Sequence, residues 1–222
     1  MISFQIDNWC LWDLENTIPI EHPNLLRGRA NPDKLPAMVK RRMPPLAKAM
    51  FMAEQQLADN PMPTIYASKH AELSRTIGLI KQFGEDLSPM SFSMSVNNSL
   101  PGLLSVINKN TQPYTVIDSL SGVIEYALLE AYTQLAEHSK LRVVYFEEQT
   151  TDVMNHSFQL NDHAMVLAMD ISQGQQWQLN MGHTDVKTAE TTDMASYAGL
   201  LTGQKDVLEV SYRQQKWLWQ RH

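Results

Sequence analysis

The sequence predicts a layered α/β fold, and three observations carry that prediction. Short apolar runs of strand character alternate along the chain with stretches whose apolar residues recur at helical spacing. One unit shows this without a break: Tyr114-Thr115-Val116-Ile117 passes through Asp118-Ser119-Leu120-Ser121-Gly122 into the amphipathic stretch VIEYALLEAY. The composition, 43% hydrophobic and 19% charged over 222 residues, is that of a soluble globular chain long enough to bury a core as one domain.

Taken in order, residues 1–15 alternate as a first strand, with Ile2, Phe4, Ile6, Trp9 and Trp12 as its apolar positions. Residues 16–36 hold four prolines and read as a surface loop. A helix is predicted from about Pro44, where prolines suit the first turn, and it places Leu46, Ala49, Met50, Ala53 and Leu57 on one face. The methionines around it are flexible core filler. A strand over 63–67, a polar turn over 68–72 and a helix over 74–83 stopped by Gly84 come next. Residues 89–98 are Ser-rich without clear period, and a short helix is expected over 102–107.

After the strand at 114–117, the following helix places Val123, Ile124, Ala127, Leu128, Ala131 and Leu135 on one face, with Glu125, Glu130 and Glu137 elsewhere. Leu141–Phe146 is a strand and 147–162 a polar loop. Ala164–Ile171 and Gln176–Met181 read as two strands of a hairpin turning at Ser172-Gln173-Gly174. A short helix over 195–202 and a strand over 208–219 close the chain. Residues 1–222 thus form a single domain, to which 160–222 add extra strands.

A net charge of −6 argues against a general nucleic-acid binder. No uncharged apolar run reaches the roughly 18 residues of a membrane span, and the acidic N-terminus does not resemble a signal peptide. Cys10 is the only cysteine, which excludes an intrachain disulfide and a cysteine-based zinc site, and a cytoplasmic setting is expected. The seven histidines form no i, i+4 pair and the glycines no phosphate loop, so no metal or cofactor is expected. One local departure is basic: Arg27, Arg29, Lys34, Lys40, Arg41, Arg42 and Lys48 face a single acid, Asp33. It reads either as a solvated face or as a docking patch for an acidic partner.

The strand–turn–helix unit is the candidate site. A side chain at such a junction is lifted clear of the backbone, and the helix N-terminus offers free N–H donors and a positive dipole end that suit an oxyanion. Ser119 stands there. Asp118, Ser119 or Ser121 reads equally well as a plain helix cap. A serine nucleophile also needs a base, and none of the histidines, among them His156, His163 and His183, lies in a recognisable motif.

These residues resemble a known family. Ile65–Leu73 (IYASKHAEL), the pair Ser91–Asn98 and Pro101–Val106, the turn Ser119-Leu120-Ser121-Gly122 and the strand Ala164–Leu167 resemble, in this order, segments of the N-terminal half of β-ketoacyl synthases. The resemblance covers roughly residues 40–182. Within the family it points to the short β-ketoacyl synthase-like proteins of the chain-length or initiation factor type of aryl polyene biosynthesis. It implies a thiolase-like layered fold with a mixed β-sheet, truncated relative to a full ketosynthase.

Ser119 occupies the place of the family's cysteine, and the half that carries the family's histidines is mostly missing. The resemblance therefore implies a non-catalytic subunit that pairs with a full-length ketosynthase. Tyr114, Thr115, Val116, Ile117 and Asp118 would form the partner interface. Phe92, Met94, Asn97, Asn98 and Leu103 would line the acyl tunnel. Arg27, Arg29, Arg41 and Arg42 would meet an acyl carrier protein. The alternative is an acyltransferase, hydrolase or malonyl decarboxylase with Ser119 as nucleophile.

Overall fold

The structure, a computed structural model, describes residues 1–57, 61–84, 86–119, 121–149, 163–188 and 193–222, without the side chains of 184–188 and 213. Its elements in chain order are β1 (Ile2–Asp13), β2 (Leu25–Arg27), α1 (Ala37–Arg42), α2 (Pro45–Leu57), β3 (Thr64–Ser68), α3 (Leu73–Lys81), α4 (Pro89–Ser93) and α5 (Ser99–Ile107). They continue with β4 (Tyr114–Asp118), α6 (Val123–Gln134), β5 (Lys140–Glu147), β6 (Met165–Thr188), α7 (Met194–Leu201) and β7 (Val207–Arg221).

One mixed sheet runs in the order β2-β1-β6-β5-β3-β4, with β7 paired to β6. β3 is parallel to both β4 and β5, whereas β6 is antiparallel to β5, β1 and β7. Parallel strands need crossovers, and helices supply them here: α3, α4 and α5 connect β3 to β4, and α6 leads from β4 to β5 on the other side of β3. All five residues of β3 are buried, as a strand covered on both faces requires.

Strand alternation divides the core in two. Ile65, Ala67, Leu141, Val143, Leu167 and Met169 pack towards α6, with Val123, Ala127 and Leu128. Tyr66, Val144, Phe146, Val166 and Ala168 pack towards α2 and α5, with Leu46, Met50, Ala53, Leu100 and Leu104. The predicted faces of both α2 and α6 are therefore the buried ones. Met43 and Met50 are buried in the α2 core.

One expectation is corrected. Residues 164–181 form no hairpin. β6 is one strand that keeps its direction along β1: Gln5 pairs with Ser172 and Phe4 with Trp177, so residues 173–176 bulge out between them. Ser-Gln-Gly reads locally as a turn, but Gly174 serves a close approach instead. A Cβ there would stand 2.7 Å from that of Gln5. Glu125, which lies off the apolar face of α6, is not exposed. It is fully buried, because β7 and α7 cover the face of the helix that the sheet does not. The expected loop over 147–162 lies mostly outside the described residues.

Candidate functional site

β4 ends at Asp118, and α6 begins after Gly122, whose φ of 59° is left-handed. A Cβ at Gly122 would also meet Trp217 Nε1 at 3.0 Å, so glycine is required there by both backbone and space. Ser119 Oγ donates to the Ser121 carbonyl at 2.8 Å and accepts from the Ser121 N–H at 3.4 Å. Its hydroxyl is thus turned back on its own loop. No imidazole among the described residues is hydrogen-bonded to it. His163 Nδ1 faces Glu15 at 2.7 Å, His22 stacks on Trp9, His183 is exposed, and His156 lies outside the described residues.

Behind the elbow, Glu125 in the first turn of α6 accepts from Tyr197 Oη at 2.6 Å and from Trp219 Nε1 at 2.8 Å. A carboxylate there suits the positive end of the helix, and these bonds tie the elbow to β7 and α7. Sequence reading missed this. Its partners lie 72 and 94 residues away, and no local pattern points to them.

β4 is the edge of the sheet, paired among the described residues with β3 alone. Tyr114 and Asp118 are exposed, while Thr115, Val116 and Ile117 are half-buried. On the α6 side a groove of about 510 Å³ is lined by Ile117, Asp118, Ser119, Tyr126, Leu129, Glu130 and Thr133. On the other side Asn97 and α5 touch the two ends of the strand. Asn97 Nδ2 donates to Asp118 Oδ2 at 2.5 Å, and Gly102 lies against Tyr114 Oη, 3.5 Å from where its Cβ would be.

The expected interface and tunnel segments are therefore neighbours. Of the five tunnel residues, Phe92 and Asn98 are exposed, Met94, Asn97 and Leu103 half-buried, and none lines the groove beside Ser119. Phe92 (60% exposed) is joined by Phe83 (87%), Met90 (72%) and Val106 (75%), so α3–α5 and their ends expose several large apolar side chains.

The basic stretch is divided. Arg29, Arg41 and Arg42 are exposed, the last two closing α1. Arg27 is turned inward: one amino group meets Glu21, and the other donates to the carbonyls of Ile18 and Ile20, holding the 13–27 loop.

A second polar cluster lies under α2. Arg142 and Asp170, direct partners in the β5–β6 register, form a buried bidentate pair at 2.8 and 3.2 Å. Beside them Glu54 accepts from Tyr66 Oη at 2.9 Å and Asn108 Nδ2 at 2.7 Å. Burial pushes the Glu54 carboxyl up to about 7, although Arg142 and the two hydrogen bonds act the other way. Burial also pushes the Cys10 thiol up to about 12. A charged residue inside each of the apolar runs LRVVYF and AMVLAMDI was the available signal. No group of three or more metal-ligating side chains occurs among the described residues, and none of their helices is long and apolar enough to cross a membrane.

The mixed sheet, the helices on its two faces and the glycine-relieved strand–elbow–helix junction are those of the thiolase-like fold, here in the truncated, ketosynthase-like form. The chain belongs to the β-ketoacyl synthase N-terminal domain family, whose sequence pattern it matches over residues 9–220. A solved complex of a ketosynthase (ApeO) with its chain length factor (ApeC) from Xenorhabdus doucetiae contains a chain that superposes with a TM-score of 0.81 at 20% identity, covering 100% of both chains. The ishigamide ketosynthase/chain length factor gives 0.53 at 11% identity, over 67% of this chain and 51% of that one. A β-ketoacyl synthase from Burkholderia phymatum STM815 gives 0.50 at 13%, over 89% and 64%. No curated protein matches the chain.

Proposed function

We propose that this chain is a non-catalytic ketosynthase-like subunit of the chain-length-factor type. It pairs with a full-length β-ketoacyl-ACP synthase and shapes the acyl tunnel, in polyketide, aryl polyene or fatty-acid-like biosynthesis in the cytoplasm. The observation that carries this reading is the open β4 edge, flanked by apolar surface on the α3–α5 side and by the groove on the α6 side. An unpaired strand edge with apolar flanks calls for a covering partner. Tyr114–Asp118 form the contact strand, and Phe92, Met94, Asn97, Asn98 and Leu103 face the shared tunnel. Arg29, Arg41 and Arg42 meet the acidic carrier protein, with Arg27 holding the loop behind them. Residues 1–222 act as one domain.

The self-bonded Ser119 hydroxyl, with no base hydrogen-bonded to it among the described residues, supports a subunit without condensing chemistry of its own. The fold shared with a chain from a ketosynthase–chain length factor complex supports the pairing. The test is co-expression with a β-ketoacyl synthase. The two should co-purify, and Ser119→Ala should leave product formation within about twofold. A loss of product on the order of 100-fold or more, as for a true nucleophile, would move the function to the serine.

A further inference from the structure

Glu54 is enclosed by groups from every element packed against it. β3 contributes Tyr66, β5 Arg142, β6 Asp170 and the end of α5 Asn108, with Tyr114 of β4 behind Tyr66. The titratable side chain of β1 in this core is the Cys10 thiol, which burial keeps protonated, and the other charged residue of α2 is Lys48. Arg142 is taken up by Asp170 and reaches only the Glu54 backbone carbonyl, at 3.4 Å.

The cluster as it stands fits an ionised Glu54, which accepts two hydrogen bonds. The Asn108 Oδ1 beside it is buried and has no partner among the described residues. An unused buried acceptor is costly, yet it is the group a protonated Glu54 needs. A half-turn of the Asn108 amide brings Oδ1 to the carboxyl O–H. Two hydrogen-bonding arrangements thus exist around one carboxyl.

Both partners of Glu54 lead to the β4–α5 face. Asn108 caps α5. The Tyr66 ring stands edge-on to Tyr114, with centroids 6.0 Å apart at 82°, and Tyr114 is part of the open edge. We propose that Glu54 is a proton-operated switch, with the Asn108 amide as its moving part, that sets how tightly the β4–α5 face holds its partner. This rests on the ketosynthase-partner reading above. A partner over Tyr114 and Asn108, neither of them fully buried in the free chain, would deepen the burial of the Glu54 cluster and so favour the neutral carboxyl. Association then takes up a proton and weakens as pH rises through neutrality. The weakening is about tenfold for each pH unit by which binding displaces the midpoint.

The experiment follows the ¹³C-labelled Glu54 carboxyl and the Tyr114 ring by NMR in the full chain. It also measures Kd for a co-purified β-ketoacyl synthase from pH 6 to 8. The expected result is one midpoint near neutrality shared by both signals, a Kd that rises with pH, and loss of both effects in Glu54→Gln. Tyr66→Phe, which keeps the ring and removes a hydrogen bond to the ionised form, should move the midpoint upward. A carboxyl that titrates in the ordinary carboxylate range, or a Tyr114 signal that ignores it, overturns the switch. So does a pH-dependent Kd that persists in Glu54→Gln. A chain with the shared midpoint that binds no ketosynthase at any pH overturns the partner reading instead, and the docking role with it.

Discussion

Replacing Glu54 by glutamine should remove a pH-dependent part of the chain's stability. Glutamine has the same shape: its amide oxygen accepts from Tyr66 Oη, and its NH₂ donates to Asn108 once that amide has turned. The folded state raises the carboxyl from its usual 4.5 to about 7, chiefly by burial. The folded chain therefore holds this proton more tightly than the unfolded one. The resulting stability is fully present below pH 4.5 and is lost as pH climbs towards and through 7. At about 1.4 kcal/mol per pH unit, the loss is on the order of 3 kcal/mol.

Glutamine has no proton to lose, so the variant should gain on the wild type by that amount between pH 5 and 8. For a domain of this size this corresponds to a Tm difference on the order of 10 °C at pH 8. Urea or thermal unfolding of both chains at pH 5, 6, 7 and 8 measures it. Parallel curves would refute the reasoning, because they would mean that Glu54 titrates alike in the folded and unfolded chain.

Three further outcomes are expected. Gly122→Ala should cost about 1–3 kcal/mol through its left-handed φ and should lower Tm, with Trp217 fluorescence altered by the displaced indole. Asp170→Ala leaves the Arg142 guanidinium buried without its carboxylate and should destabilise by about 3–5 kcal/mol in denaturant titrations. Arg41→Glu with Arg42→Glu should leave Tm within about 1 °C, since both are exposed. It should also weaken carrier-protein association in low salt, an effect that fades as ionic strength rises.

Much of the fold was legible because it is written locally. The unit Tyr114–Gln134 combines a short apolar run, a glycine-relieved turn and an amphipathic period, and it folds as read. The α2 face was equally plain, from Leu46 to Leu57. Helix α1 was not foreseen, because it buries none of its residues and so leaves no apolar period. The hairpin reading of 172–174 took glycine as a turn signal where the backbone needed room beside Gln5.

For the site, the structure sets the 91–106 segment beside β4, an adjacency the sequence does not spell out. It rests on contacts such as Asn97 to Asp118 that no spacing predicts. The Glu54 cluster escaped for the same reason. Five residues from five elements meet there, and only the lone charges in two apolar strands mark them in the sequence.

The burial of Glu125 has a consequence in time. Its hydrogen-bond donors are made 72 and 94 residues after it, Trp219 last. At ribosomal rates of about 5–20 residues per second, the elbow helix waits roughly 5–20 s for its cover. During that interval a carboxylate faces water where indole and phenol will later stand, and the first turn of α6 is not yet locked. The elbow is therefore completed only after β7 has been made, although α6 itself is synthesised much earlier.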